Sequence, residues 1–288
     1  MARTLAWFQN SCALNSPPVM TAFLKGAQRH GFEIRPDSMT ADVAVIWSVL
    51  WHGRMKVNKL IYDHYRSHKK PVIVIDIGAL NRGTTWKVAV NHVTAEGYYG
   101  HQENLDPDRP AKLGLALSRP TNPRPDILVC CQHLASMQVS DLESVETWIN
   151  NIIREISLRT NRNIFVRPHP RSPFNQSKIF ASLVSSTMVH FQTPKKLANT
   201  YDSFDCDFNY HAVVNHNSGP GIQAALAGTR PLVSPTSLAH PVGVDWSQIE
   251  QPYDVDRERW LIEIAHTEYT VDELAQGLCF TRIEQALK

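Results

Sequence analysis

The chain has 288 residues, 43% of them hydrophobic and 19% charged, with a formal net charge of +2. That gives room for two globular domains of ordinary size, and the even charge balance neither demands nor excludes a nucleic-acid partner. Five cysteines (Cys12, Cys130, Cys131, Cys206 and Cys279) without CxxC spacing exclude a disulfide scaffold or zinc ribbon and fit a reducing cytoplasm. Apolar runs are strand-sized, so neither a signal peptide nor a membrane span is expected.

Taken in order, Thr4–Phe8 reads as a strand and Pro18–Arg29 as a helix ended by Gly31. Asp42–Trp47 is a continuous apolar strand, Val57–His68 a polar-faced helix, and Pro71–Gly78 another apolar strand. Unbroken apolar strands alternating with helices indicate a parallel sheet covered on both faces. Residues 81–100 show no long period and are expected as loops; the proline-rich stretch 105–126 reads as a linker. This divides the chain into an N-terminal domain, 1–118, and a C-terminal domain, 119–288. The alternation restarts with strand Ile127–Cys131, helix Leu142–Thr160, strand Ile164–Val166, helix Lys178–Ser186 and strand Met188–Phe191. A short helix near Lys195–Thr200, strand Ala212–Val214, helix Ile222–Ala227 stopped by Gly228, and strand Pro231–Ser234 follow. The tail from Arg257 to Leu287 is mostly helical, with Thr270-Val271-Asp272-Glu273 resembling a capping start. The expected fold class is α/β, with two Rossmann-like domains whose parallel sheets face a central cleft.

The stretch Asn215-His216-Asn217-Ser218-Gly219-Pro220-Gly221 joins a buried strand to a helix. Asn217 and Ser218 suit an N-cap and Pro220 a first helical turn. Such a turn aims N–H groups and a positive dipole end at one spot, which suits phosphate; the other reading is an ordinary strand-to-helix turn. A second strand runs into Arg167-Pro168-His169-Pro170-Arg171, placing two arginines and a histidine at its carboxyl edge. Ligands of open α/β sheets bind at that edge, so the two stretches point to an anion site. His211, His216 and His240 lack compact metal-ligand spacing and read as core or cleft histidines. The basic run His64–Lys70 is either a DNA-binding patch or a solvated helix end. Trp47, Trp51, Trp86, Tyr98 and Tyr99 either line an acceptor cleft or fill a core.

The order of Asp76-Ile77-Gly78 with Arg82, Asn91 with Gly97–Gly100, Asp126-Ile127-Leu128 with Gln132, Arg167-Pro168-His169-Pro170, and Asn217–Gly221 resembles the GT-B glycosyltransferases. In particular it is similar to capsular-polysaccharide β-Kdo transferase-like proteins and their short phage-encoded relatives. The tail motifs Asp245–Glu250, Arg257, Trp260-Leu261 and Glu273–Gly277 also fit. The resemblance implies an enzyme of GT-B type that moves a sugar from a nucleotide-sugar donor to an acceptor hydroxyl. Asp76 is then the general base, its structural alternative being a cap on the turn at Gly78. Arg82 would position the acceptor or the donor phosphate, or be solvated. Arg167, His169 and Arg171 would face the nucleotide phosphates, the alternative being a proline-rich turn with solvated arginines, and Asn217, Ser218 and Gly219 would bind phosphate at the helix N-terminus. Glu250 would hold the ribose hydroxyls, or be solvated. No cofactor and no metal are implied, because helix dipole and side chains meet the phosphate charge. Small relatives of this kind sit in phage genomes, where similar enzymes glycosylate hydroxymethylated bases of double-stranded DNA. By that analogy the acceptor leans to a 5-hydroxymethylpyrimidine in DNA, in the host cytoplasm, with a capsular or lipopolysaccharide glycan as the alternative. A non-catalytic nucleotide-sugar or DNA-binding module is a second class of reading.

Overall fold

The structure is a computed structural model that describes residues 3–179, 188–198, 204–205 and 207–288. In chain order its elements begin with β1 (Thr4–Trp7), α1 (Pro17–Arg29), β2 (Glu33–Pro36), β3 (Val43–Trp47), α2 (Lys56–Ser67), β4 (Val72–Ile77), β5 (Trp86–Val90) and the one-turn α3 (Arg109–Lys112). Then come β6 (Arg124–Cys130), α4 (Val145–Ser157), β7 (Ile164–Arg167), β8 (Val189–Phe191), the short β9 (Lys195–Lys196) and β10 (Phe204–Asp205), β11 (Tyr210–Asn215), α5 (Gly219–Ala227) and β12 (Arg230–Val233). The chain closes with α6 (Glu258–Ala265), β13 (Glu268–Tyr269), α7 (Val271–Gln276) and α8 (Leu278–Ile283). It forms two compact units: residues up to Leu115 with Ala135–Met137 and Ile262–Lys288, and Ala116–Leu134 with Gln138–Leu261.

The first unit holds a six-stranded sheet in the order β13-β5-β4-β3-β1-β2. β2, β1, β3 and β4 run parallel, β5 is antiparallel to β4, and β13 is antiparallel to β5. Every residue of β3 is buried, because helices cover both faces. Val43, Val45, Ile73 and Ile75 pack with Phe23 and Phe280, while Ala44, Ile46, Val72 and Val74 pack with Ile61 and Tyr65 of α2. The strand β5 lies in the region expected as loops. Its second residue is Lys87, buried and directly opposite Asp76, and that charge breaks the apolar run that marks the other strands. Asp76 therefore lies inside β4, one residue from its end, not beyond it.

The tail also departs from expectation, since 262–288 packs in the first unit and not with the C-terminal domain. The Phe280 ring sits 5.0 Å from Phe23 and 5.5 Å from Phe32. Gly26 makes this possible: a Cβ there would lie 2.1 Å from the Leu274 carbonyl oxygen, so only glycine lets α1 and α7 touch through their backbones. Thr270 and Glu273 form the anticipated capping box, with Thr270 Oγ1 accepting from the Glu273 N–H and the Glu273 carboxylate accepting from the Thr270 N–H.

The second unit holds a five-stranded, wholly parallel sheet in the order β12-β11-β6-β7-β8. Ile127 and Val129 of β6 pack against Ile149, Ile153 and Ile156 of α4, while Leu128 and Cys130 pack with Ala224 of α5 on the opposite face. The chain leaves β6 towards β7 on one side and returns to β11 on the other, so β6 and β11 flank the point where the winding reverses. Lys195–Lys196, expected as helical, pair with Phe204–Asp205 as a two-residue antiparallel ladder. The helix expected over Lys178–Ser186 falls outside the described residues beyond Ile179, and Gln176–Lys178 form a single 3-10 turn. Cys12, Cys130, Cys131 and Cys279 are buried free thiols. Among the described residues no helix is long and apolar enough to cross a membrane.

Candidate functional site

In the first unit the carboxyl ends of β3 and β4 bring Ser48 and Asp76 together. Asp76 is half-buried; its Oδ2 accepts from Ser48 Oγ at 3.2 Å and its Oδ1 from the Ile77 N–H at 2.8 Å. Ser48 has φ +63, a left-handed conformation that costs a serine about 1–3 kcal/mol. Its N–H donates to the Ile75 carbonyl at 2.7 Å and its Oγ accepts from the Leu50 N–H at 3.2 Å, which holds the hydroxyl on the carboxylate. Burial raises the Asp76 carboxyl above the usual aspartate range, and the Ile77 N–H, Lys87, Ser48 and Arg82 pull partly the other way. Such a carboxylate is more basic than a solvated one.

The hairpin after β4 is built around another carboxylate, Glu268, which is fully buried. It accepts from the Ala79 N–H at 2.6 Å, the Leu80 N–H at 3.2 Å and Thr85 Oγ1 at 2.6 Å. Gly78 is required by this packing, since a Cβ would stand 2.3 Å from Glu268 Oε2 and from the Thr85 carbonyl. Cross-strand register puts Asp76, Lys87 and Glu268 in one row over β4, β5 and β13. Arg82 is exposed on the hairpin, close enough for its charge to act on Asp76. Trp47 and Tyr99 are buried, and Trp51, Trp86 and Tyr98 pack against the cores, so these aromatics serve the interior.

In the second unit the loops after β6, β7 and β11 converge at the carboxyl edge. Gln132 and Asn217 are locked reciprocally: Gln132 Nε2 donates to Asn217 Oδ1 at 2.9 Å, and the Asn217 N–H donates to Gln132 Oε1 at 2.7 Å. Asn217 Nδ2 donates to the Gln138 carbonyl and to Thr236 Oγ1, both at 2.9 Å. Asn217, expected on phosphate, thus ties three loops together with its side chain. Ser218 gives its N–H to Asn215 Oδ1 at 2.8 Å, and Asn215 Nδ2 reaches the Cys130 carbonyl at 2.9 Å. Pro220 has no N–H and that of Gly221 goes to the Ser218 carbonyl, so Gly219 supplies the amide this turn does not itself engage. Gly221 lets α5 approach β12, since a Cβ would meet Val233 Cγ1 at 2.7 Å.

His169 lies beside His133 of the neighbouring loop, ring centroids 5.1 Å apart. Its Nδ1 accepts from the Arg171 N–H at 3.2 Å, which leaves the imidazole proton on Nε2. Leu134 N–H to Ser172 Oγ at 3.2 Å joins the same two loops. His133 carries no sequence signal of its own and is found only through this convergence. Arg167, expected on phosphate, is buried: Nε donates to Gln192 Oε1 at 3.2 Å, Nη2 to the Asp207 carbonyl at 3.0 Å, and the guanidinium lies over Phe208. It anchors the chain before β11.

Glu250 is placed at the opposite edge of the sheet. Its carboxylate binds Arg162 bidentately at 2.7 and 2.8 Å, and His211 and Arg230, at the amino ends of β11 and β12, reach the adjoining Ile249 carbonyl. Glu250, expected on the ribose hydroxyls, is here engaged by Arg162. The Arg162 hydrogen bonds hold its carboxyl down at about 2 despite opposing burial. The folded value lies below the ordinary 4.5, so the pair stabilises above that value and the contribution is lost as pH falls to about 2. Thermal melts of wild type and Glu250→Gln are expected to differ near neutrality and converge over that window; a gap unchanged at the acid end would show the pair contributes nothing.

A cavity of about 280 Å³ opens between the β6 and β11 loops and the start of α4. Gln132, Leu134, Glu143, Glu146, Trp148 and His216 are among its lining residues. It lies at the reversal of winding, the place where open α/β sheets hold ligands. Ser144 caps α4 there, its Oγ accepting from the Thr147 N–H at 3.0 Å.

No protein-family model matches the sequence, and no curated protein does. Among solved structures the chain is similar to the KpsC β-Kdo 2,7 transferase of Thermosulfurimonas dismutans, with TM-score 0.51 at 10% identity over 97% of this chain and 99% of that one. It is similar to the KpsC β-Kdo 2,4 transferase of the same organism, with TM-score 0.51 at 11% identity over 97% and 98%. At these identities the likeness establishes the fold, which is α/β of the GT-B type.

Proposed function

We propose that the protein is a glycosyltransferase that takes a sugar from a nucleotide-sugar donor held at the carboxyl edge of the second unit. The observation that carries this reading is the cavity at the β6–β11 reversal, walled by loops that Gln132 and Asn217 lock in place. His169, Arg171 and the Gly219 amide stand at the same edge and supply positive charge and an N–H for the leaving phosphate. Asp76 is the proton acceptor for the incoming hydroxyl, held by Ser48 and made more basic by burial. Arg82 adds positive charge beside it.

For the acceptor, a glycan hydroxyl is favoured over a DNA base. The basic run 64–70 engages its own chain: His64 Nε2 binds the Met39 carbonyl at 2.8 Å, and Lys70 Nζ donates to the Thr40 and Ala41 carbonyls at 2.7 Å. Those donors tie the end of α2 to the loop before β3. Incubation with labelled nucleotide sugars, capsular or lipopolysaccharide oligosaccharides, hydroxymethylated duplex DNA and EDTA tests the proposal. Label is expected on a glycan, undiminished by EDTA. Label on DNA alone would replace the acceptor class. Nucleotide binding without transfer would make the protein a non-catalytic module. EDTA inactivation reversed by Mg²⁺ or Mn²⁺ would refute a metal-independent reaction.

A further inference from the structure

We infer that the cavity bounded by Trp148, His216 and Glu143 is a subsite for one uncharged, hydroxyl-bearing ring, the ribose or the transferred sugar of the donor, with the phosphates held outside it. The inference rests on the transferase reading and specifies which part of the donor lies where. Size comes first: about 280 Å³ accommodates one ring and falls just short of the usual range for larger ligands. Charge comes second. Glu143 and Glu146 line the cavity and Asp141 stands behind His216, so three carboxylates oppose a phosphate or an acidic sugar at this spot, although it adjoins the start of α4.

The unused polar groups match a ring of hydroxyls. Glu143 has no protein partner among the described residues and presents acceptors only. The Trp148 indole offers an apolar face, and its N–H donates to no described protein group. His216 is the third group. Its side chain is 8% exposed, its Nε2 lies 3.1 Å from Asp141 Oδ1, and its ring stands edge-on to Trp148 with centroids 6.5 Å apart. Asp141 fixes the proton on Nε2, leaving Nδ1, with no described protein partner, as an acceptor at the cavity wall. A saturated ring laid on the indole face would meet acceptors from Glu143 and His216, and hydroxyl groups donate to both.

Saturation-transfer NMR on the full chain tests this with cytidine, uridine, glucose and glucuronic acid as probes. Ring protons of the ribose or of glucose are expected to saturate, and glucuronic acid to bind several-fold more weakly than glucose. Signal on the nucleosides assigns the ribose, and signal on glucose assigns the transferred sugar. Trp148→Ala should remove the signal, and Glu143→Gln, a change at an exposed position, should weaken binding by about 10-fold. Absence of ring-proton saturation for every probe would overturn the inference, as would unchanged binding in a Glu143→Gln protein that melts like wild type. Transfer with a wild-type donor KM in both variants would sink the subsite and leave the transferase reading. Ring binding without transfer from any donor would do the reverse.

Discussion

Asp76→Asn is expected to fold, to retain donor binding, and to lose sugar transfer by ~10²-fold or more. Asparagine keeps both hydrogen bonds of the site: its Oδ1 still accepts from the Ile77 N–H, and the Ser48 hydroxyl can turn to accept from Nδ2. Only the proton acceptor is removed. Position is preserved because β4 is rigid, with Val72–Ile75 buried and paired to strands on both sides. A base on such a strand keeps the tolerance that proton transfer needs.

The same substitution has a thermodynamic signature of opposite sign. Burial raises the folded carboxyl above its ordinary 3.8, so protonated Asp76 stabilises the fold fully below that value. This contribution is lost as pH rises through the folded value. Asparagine is uncharged throughout, so Asp76→Asn should melt no lower than wild type at neutral pH and should show no gain at acid pH. A variant that gains stability while losing transfer marks Asp76 as a group kept for chemistry. A variant with near-full transfer would reduce Asp76 to a partner of Ser48 and move the base elsewhere.

Parts of this arrangement were legible in the sequence because they are local. The apolar strands β3, β4, β6 and β11 announce themselves as continuous runs, and Pro220 marks the helix start in the turn 215–221, although Ser218 at the cap position makes no side-chain capping bond. What stayed hidden depends on partners far along the chain. Glu250 finds Arg162 across 88 positions, and Arg167 finds Asp207 across 40, so neither its edge nor its burial could be read from neighbours. Lys87 concealed β5 because a charge inside a short strand looks like a loop until Asp76 and Glu268 lie beside it. Ser48 gave no signal, since its left-handed backbone is usually the sign of glycine or asparagine. Gly26 did leave a trace: a glycine inside a helix weakens it, and here the reason is the backbone of α7.

Arg109→Leu is expected to destabilise the first unit by about 3–5 kcal/mol, the usual cost of stranding one partner of a buried ion pair. Arg109 is 7% exposed and lies in the proline-rich stretch that reads as a linker, yet it joins β13, α6 and α7 at one point. Its Nε donates to the Ala265 carbonyl at 2.7 Å, Nη2 to the Glu268 carbonyl at 2.6 Å, and Nη1 to Glu273 Oε1 at 2.6 Å. The guanidinium also lies over the Tyr269 ring, 5.0 Å from its centre. Burial alone would raise the Glu273 carboxyl, but the Arg109 bonds and the Thr270 cap overcome it and hold it below the usual range. Leucine would leave that half-buried carboxylate without its cation and leave two carbonyls without donors. Because Glu268 also holds the hairpin beside Asp76, the loss should extend to the proposed base. Urea unfolding of the full chain, followed by a probe in the first unit, measures the effect. Arg109→Lys should recover only part of it, since an ammonium lacks the planar fork that reaches three acceptors. Arg109→Leu combined with Glu273→Leu should be less destabilised than Arg109→Leu alone, because no charge is then left unpaired. A single variant within 1 kcal/mol of wild type would show that water reaches Glu273 and that the pair is a surface contact.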